Sequence, residues 1–380
     1  MPQEGSAAVS GMGRRAHGRR RRARRGAVTA GVALLVAAGV WYAAIGHSEL
    51  SNGSPSTTTT RAPATLPAPR STTTAPAPRT TTSSSAAAPQ AIGTFKVTTA
   101  RLTLVEDPGP SQRSLPTTIW FPVVAGRRPL LVFSQGFWEP VSTYQTLLTD
   151  WASAGFVVAA PTYPHTTRPP HPYTRSTPTG TTVVDGKDIV NHPADLRFVI
   201  QSVLDYAAQR GNALFGRIDP SAIGLVGHSD GGDVSLAVAA DSADLTPRVK
   251  AVAVLSGAEL ANYFGGTYYT PTVPAVPLLA VQSRTDTVNY PSCSVQLYDG
   301  APQPKWYLEL AGASHLGGYT TAPWRTVVAQ VVTRFFEAEL AHEPTAMQGI
   351  SSVADTSVST ISNGPTAPAQ PGTPTCDAAP

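Results

Sequence analysis

An α/β fold, a mostly parallel sheet with helices on both faces, is what residues 91 to 344 predict, and three observations carry it. Short runs that are apolar throughout, such as "LLVF", "FVVAA" and "VAVL", recur along the chain and suit parallel strands covered on both faces. Stretches with a single apolar helical stripe alternate with them. The alternation spans some 250 residues without an internal repeat, enough chain for one sizeable core or two small ones.

The elements follow in order. "TFKVTTARLTLV" and "PTTIWFPVV" have the β-branched and aromatic enrichment of strands, and the turn residues of "EDPGPSQR" between them predict an antiparallel start. "RPLLVFSQG" reads as a strand ending in a glycine-containing loop, followed by a helix around "STYQTLLTDWASAG" and a strand at "GFVVAAPTY". The segment from residue 165 to 186 is rich in Pro, Thr and Arg and is expected to overhang a pocket as a partial cap. Beyond it, Leu196, Val199, Ile200, Val203 and Leu204 form one helical stripe. "AIGLVG", "VKAVAVLSG", "VPLLAVQS" and "KWYLELAG" are further strands. The last helix, "PWRTVVAQVVTRFFEAEL", puts Trp324, Val327, Val328, Val331, Val332, Phe335 and Phe336 on one face, with proline near its start.

The flanks differ in composition. Residues 51 to 90 hold 33 Ser, Thr, Pro or Ala out of 40 and no aromatic, so 47 to 90 is expected to be a disordered linker. Residues 345 to 380 share that bias and are expected to form a tail outside the folded unit. Eight arginines in residues 14 to 25 lie within a basic segment, 1 to 26, before an uncharged stretch, 27 to 46. Twenty such residues can cross a bilayer core of about 30 Å, and the basic cluster keeps its own end in the cytoplasm. The stretch is either a single-pass anchor, leaving the folded part extracytoplasmic at the cell membrane, or a cleaved signal, leaving it secreted. Removing those eight arginines and Glu4 from 28 basic and 24 acidic residues leaves 20 and 23. That balance excludes nucleic-acid binding by charge, and a monomer is expected. In an oxidising compartment the two cysteines, Cys293 and Cys376, are expected to pair. No Cys/His spacing of metal-site type is present.

Chemistry concentrates at "GHSDGG", residues 227 to 232, between the strand "IGLV" and the helix-like "DVSLAVAAD". A serine on so sharp a strand-to-helix turn is lifted above the sheet edge, and flanking glycines leave room for the backbone. Ser229 is therefore the candidate nucleophile. It needs a base oriented by a carboxylate. Asp286 and His315 each lie just past an apolar strand, at the sheet edge where ligands bind in open α/β folds. Glu259 is the rival acid. His192 and His342 lie at helix ends and read as surface or capping residues; His228 reads as packed or hydrogen-bonded. Oxyanion donors are expected from the backbone N–H groups of Asp230 and Phe137, with Gly136 permitting close approach. Trp138, with Phe137, is expected to line an apolar substrate floor.

These residues resemble the α/β-hydrolase superfamily over nearly all of residues 95 to 342. Within it, "LPTTIWFPV", "PLLVFSQGF", "NHPADLRFVIQSVL", "IDPSAIGLVGHSDGG" and "RTDTV" look like the branch that holds bacterial relatives of platelet-activating-factor acetylhydrolase, chlorophyllase-like enzymes and cutinase-type polyesterases. The resemblance implies Ser229 as nucleophile, Asp286 as acid and His315 as base. Cutinase-type enzymes tend to carry methionine where Asp230 stands, and many lipases carry His-Gly where Ser134-Gln135-Gly136 stands. The expectation is an exported serine esterase acting on small-molecule or lipid carboxylic esters, with no cofactor. Acyl transfer or amide cleavage by the same triad, and a non-catalytic envelope binding protein, are the alternatives.

Overall fold

The computed structural model describes residues 93–106, 112–167, 186–240, 246–258, 276–341 and 343–376. The basic segment, the apolar stretch, the linker, most of the expected cap, Glu259 and His342 lie outside them. Among the described residues, no helix is long and apolar enough to cross a membrane.

Nine strands form one sheet in the order β1-β2-β4-β3-β5-β6-β7-β8-β9. Strands β1 (Val97–Glu106) and β2 (Arg113–Pro122) form the expected antiparallel start, in unbroken register from Val97 opposite Pro122 to Glu106 opposite Arg113. The centre, β3 (Arg128–Ser134), β4 (Val157–Pro161), β5 (Ile218–His228), β6 (Val249–Leu255), β7 (Leu278–Ser283) and β8 (Lys305–Leu310), is parallel throughout. The apolar runs are explained by two separate cores. Successive side chains of a strand point to opposite faces, so Leu130 and Val132 of β3 enter one core while Leu131 and Phe133 enter the other. Helix α1 (Gln145–Ala154) covers the second face. Helix α2 (His192–Ala208) covers the first, where its whole predicted stripe is buried. Helix α3 (Asp230–Ala240) follows β5 directly.

Two elements were not legible locally. Helix α4 (Pro291–Gly300) starts with proline at its first turn, where the missing N–H costs nothing, and buries Cys293, Ser294, Leu297 and Tyr298. The tail departs from the expectation of a segment outside the folded unit. Beyond the last long helix, α5 (Trp324–Leu340), the chain makes a short turn at Ser351–Ala354 and then β9 (Ser359–Ser362), antiparallel to β8 from Leu310 opposite Ser359 to Tyr307 opposite Ser362. Cys376 then forms a disulfide with Cys293 at the start of α4. The Tyr298 hydroxyl donates to the Gly364 carbonyl at 2.7 Å and the Ala367 N–H to Asp299 at 2.6 Å. Backbone pairing and a covalent bond order a segment whose apolar content could not.

A charged cluster fastens the β1–β2 edge to α2. The Arg113 guanidinium makes two bonds to Asp188, at 2.9 and 2.8 Å, and two to Asp195, both at 2.6 Å. Both carboxylates are buried, so this fork geometry offsets part of their desolvation. His192 is buried beside this cluster, a correction to its reading as a surface or capping residue. Its ring stacks on Tyr163 at 4.2 Å and an interplanar angle of 8°, and its Nε2 lies 3.2 Å from the Thr166 hydroxyl.

The disulfide closes a loop with a sequence separation of 83. Replacing both cysteines by serine should lower unfolding free energy by about 2–4 kcal/mol, measured by urea denaturation. A change within error would mean that the β9 pairing and the tail's hydrogen bonds hold it without the cross-link.

Candidate active site

Local backbone geometry explains why a serine stands where it does. Ser229 has φ of +54°, a left-handed conformation uncommon for a residue with a side chain. It is the one residue between β5 and α3. Its N–H donates to the Leu255 carbonyl at 2.9 Å, while its own carbonyl receives the N–H groups of Gly232 and Asp233 at 2.7 and 3.2 Å. The neighbouring glycines are sterically required. A Cβ at Gly227 would lie 1.9 Å from the Gly231 carbonyl oxygen, and one at Gly231 would lie 2.1 Å from the Ser134 carbonyl oxygen. At Gly136 a Cβ would meet the His228 ring at 2.9 Å and the Ser229 Cβ at 3.2 Å. The loop after β3 therefore runs against the serine turn.

Asp286 and His315 meet directly. The His315 Nδ1–H donates to Asp286 Oδ2 at 2.7 Å. Asp286 is fully engaged: Oδ2 also accepts from Gln282 Nε2 at 3.1 Å, and Oδ1 accepts the backbone N–H groups of Val288 and Asn289 at 2.9 and 3.2 Å. These donors fix the plane of the carboxyl group. With Nδ1 donating, the lone pair of His315 lies on Nε2. Among the described residues, that nitrogen is buried without a hydrogen-bond partner. The His315 ring lies 4.6 Å from that of His228, which immediately precedes Ser229.

The loop holding His315 is tied to the end of β7, whose Ser283 hydroxyl donates to the Ala313 carbonyl at 2.6 Å; Thr285 adds a second such bond at 2.9 Å. Gln282 received no role from its sequence, being one polar residue in an apolar strand. Its amide nitrogen bridges Asp286 and the Asn289 carbonyl, and its oxygen accepts from Ser294 of α4 at 2.6 Å.

The expected oxyanion donors flank the serine on two sides. Asp230 is the first residue of α3, and Phe137 lies one residue past the close contact at Gly136. Among the described residues, neither backbone N–H donates to a different residue, and the Asp230 N–H faces its own carboxyl. Trp138 is held with φ of +67° while its N–H donates to the Thr166 carbonyl at 2.7 Å; its half-buried ring sits 6.5 Å from that of Phe137. Beneath the turn, burial pushes the Asp233 carboxyl well above the usual range, reinforced by the nearby Asp230 charge, while the Ala258 N–H donates to it at 2.7 Å. No group of three or more His, Cys, Asp or Glu suited to a metal ion occurs among the described residues.

Residues 89–258 match the family model described as Chlorophyllase. That match and the mostly parallel sheet together give the α/β-hydrolase fold. The match runs from before β1 to just past β6, so it includes Ser229 and both backbone donors; Asp286 and His315 lie beyond it. It carries hydrolysis of a small-molecule carboxylic ester as the general chemistry of this α/β-hydrolase.

The crossing at Gly231 gives a direct test of the turn. Gly231→Ala would force its Cβ into the Ser134 backbone, and this hydrolase should lose at least about 2 kcal/mol of stability. A thermal melt within 2 °C of the parent would show that the turn tolerates a side chain there.

Proposed function

We propose that this hydrolase is an exported serine esterase that cleaves carboxylic esters through an acyl-enzyme on Ser229. One observation carries the reading: a buried imidazole, anchored by Asp286, has an unengaged Nε2 on the ring that packs against the serine turn. In the proposed cycle the Ser229 oxygen attacks the ester carbonyl carbon while its proton passes to His315 Nε2. Asp286 stabilises the resulting imidazolium through Nδ1–H and keeps the ring in the productive tautomer. The tetrahedral oxyanion lies between the N–H groups of Phe137 and Asp230, and the N-terminus of α3 adds its dipole. Collapse breaks the ester C–O bond, and His315 returns the proton to the leaving alcohol. Water, deprotonated by His315, then attacks the acyl carbonyl and releases the acid and Ser229.

The pairing of Phe137 with Trp138 supports an apolar substrate group, including a lipid acyl chain. Asp230, standing beside the nucleophile, makes a purely apolar mouth of the cutinase type a poorer description. Burial raises its carboxyl above the ordinary value. The disulfide supports export, since such a bond persists in oxidising compartments. The N-terminal basic and apolar segments fit either tethering to the cell membrane or secretion.

A fluorophosphonate probe should label the wild type and leave Ser229→Ala unlabelled, with p-nitrophenyl ester turnover lost by about 10³-fold or more in that variant. A well-folded wild type that neither reacts nor turns over any chain length would establish a binding protein instead. Predominant ester exchange in the presence of an added alcohol would make it an acyltransferase.

A further inference from the structure

The contacts with Asp286 fix the ring of His315, but the backbone of that residue is held from the other side of the site. His228 is 1% exposed and stands immediately before Ser229. Its Nε2 lies 3.1 Å from the His315 carbonyl oxygen, and its Nδ1 lies 2.7 Å from the Tyr144 hydroxyl. A carbonyl can only accept, so Nε2 carries the hydrogen. Nδ1 is then the bare nitrogen and accepts the Tyr144 O–H. The Tyr144 oxygen also receives a long contact, 3.4 Å, from the N–H of Gly136. One chain of donors therefore joins three loops: the loop after β3 that leads to Phe137, the turn that presents Ser229, and the loop that presents His315.

We propose that His228, locked by Tyr144 as its Nε2–H tautomer, is a positioning residue that sets the spacing between Ser229 and His315. The imidazole is a rigid strut. One end is continuous with the nucleophile's backbone and the other is bonded to the backbone of the base. Packing alone would account for a buried ring at this place, but not for two directed bonds with opposite polarity. The groups facing it are the rings of His315 at 4.6 Å, Tyr319 at 4.8 Å and Tyr144 at 5.6 Å, none of them a carboxylate. A second proton on His228 would turn Nδ1 into a donor facing the Tyr144 hydroxyl and place a cation beside His315. Burial, and then the neighbouring His315, hold its imidazolium well below the ordinary range.

This inference rests on the serine-esterase reading, and the test separates the two. In the full chain, kcat, KM, the pH profile of kcat/KM and the melting temperature would be measured for His228→Gln, His228→Leu and Tyr144→Phe with a p-nitrophenyl ester. Gln keeps a donor for the His315 carbonyl, whereas Leu does not. Misplacing a base by a fraction of an ångström should lower kcat in His228→Leu by about tenfold or more at near-constant KM. His228→Gln should recover to within about threefold of wild type, and its acid limb should keep its midpoint. Tyr144→Phe removes the donor that holds Nδ1 and should fall between them. Equal kcat in the Gln and Leu variants at matched stability, or a wild-type kcat in Tyr144→Phe, overturns the proposal, as does an acid limb displaced in His228→Gln. If His228→Leu does not fold, the other two variants decide by the same criteria. A wild type unreactive toward the fluorophosphonate overturns the esterase reading itself.

Discussion

At the carboxyl end of β5 three stretches of backbone run closer than side chains allow. Gly227 rests on the Gly231 carbonyl, Gly231 rests on Ser134, and Gly136 rests on His228 and Ser229. This contact holds Ser229 at φ of +54° and passes the chain directly from β5 into α3. It also aligns the end of β3 with the same point, since β3 and β5 are adjacent and parallel with Ser134 opposite Gly227. The candidate nucleophile and both candidate oxyanion donors thus descend from one steric constraint.

The candidate acid and base come from a second construction, farther along the sheet. Strands β7 and β8 are paired from Leu278 opposite Lys305 to Ser283 opposite Leu310, so their following loops leave the sheet side by side. Tail contacts reinforce both. Strand β9 pairs with β8, the Ala311 N–H donates to the Val358 carbonyl at 2.8 Å, and the disulfide ties the tail to α4, which supports Gln282 behind Asp286. His228 then links this half of the site to the first. Each half is built on paired strands, with polar side chains joining them where the loops meet. Preorganisation of this kind places donors before charge develops.

Much of this arrangement was legible because it follows from local pattern. Wholly apolar runs marked buried strands, and the same runs placed Ser229, Asp286 and His315 at one sheet edge. Features that depend on distant partners were not legible. Gln282 is an unremarkable amide until β7 and α4 come together around Asp286. His192 sits at a helix start, where solvent exposure is the ordinary expectation, yet Tyr163 from beyond β4 covers its ring. Residues 345 to 376 have the composition of a spacer, and only the pairing of Ser359–Ser362 with β8 and the bond from Cys376 give them a place in the sheet. A window along the chain sees propensity; it does not see a cross-link to a helix 83 positions away.

The proposed chemistry requires Ser229, His315 and Asp286 to act on one substrate carbonyl, with Phe137 and Asp230 facing its oxygen. A crystal structure of the fluorophosphonate-treated protein tests it most directly. Phosphorus should be bonded to the Ser229 oxygen, its charged oxygen about 2.7–3.1 Å from both backbone nitrogens, with His315 Nε2 turned toward the adduct while Nδ1 stays on Asp286. An adduct on another residue, or one on Ser229 whose oxygen faces solvent away from Phe137 and Asp230, would contradict it.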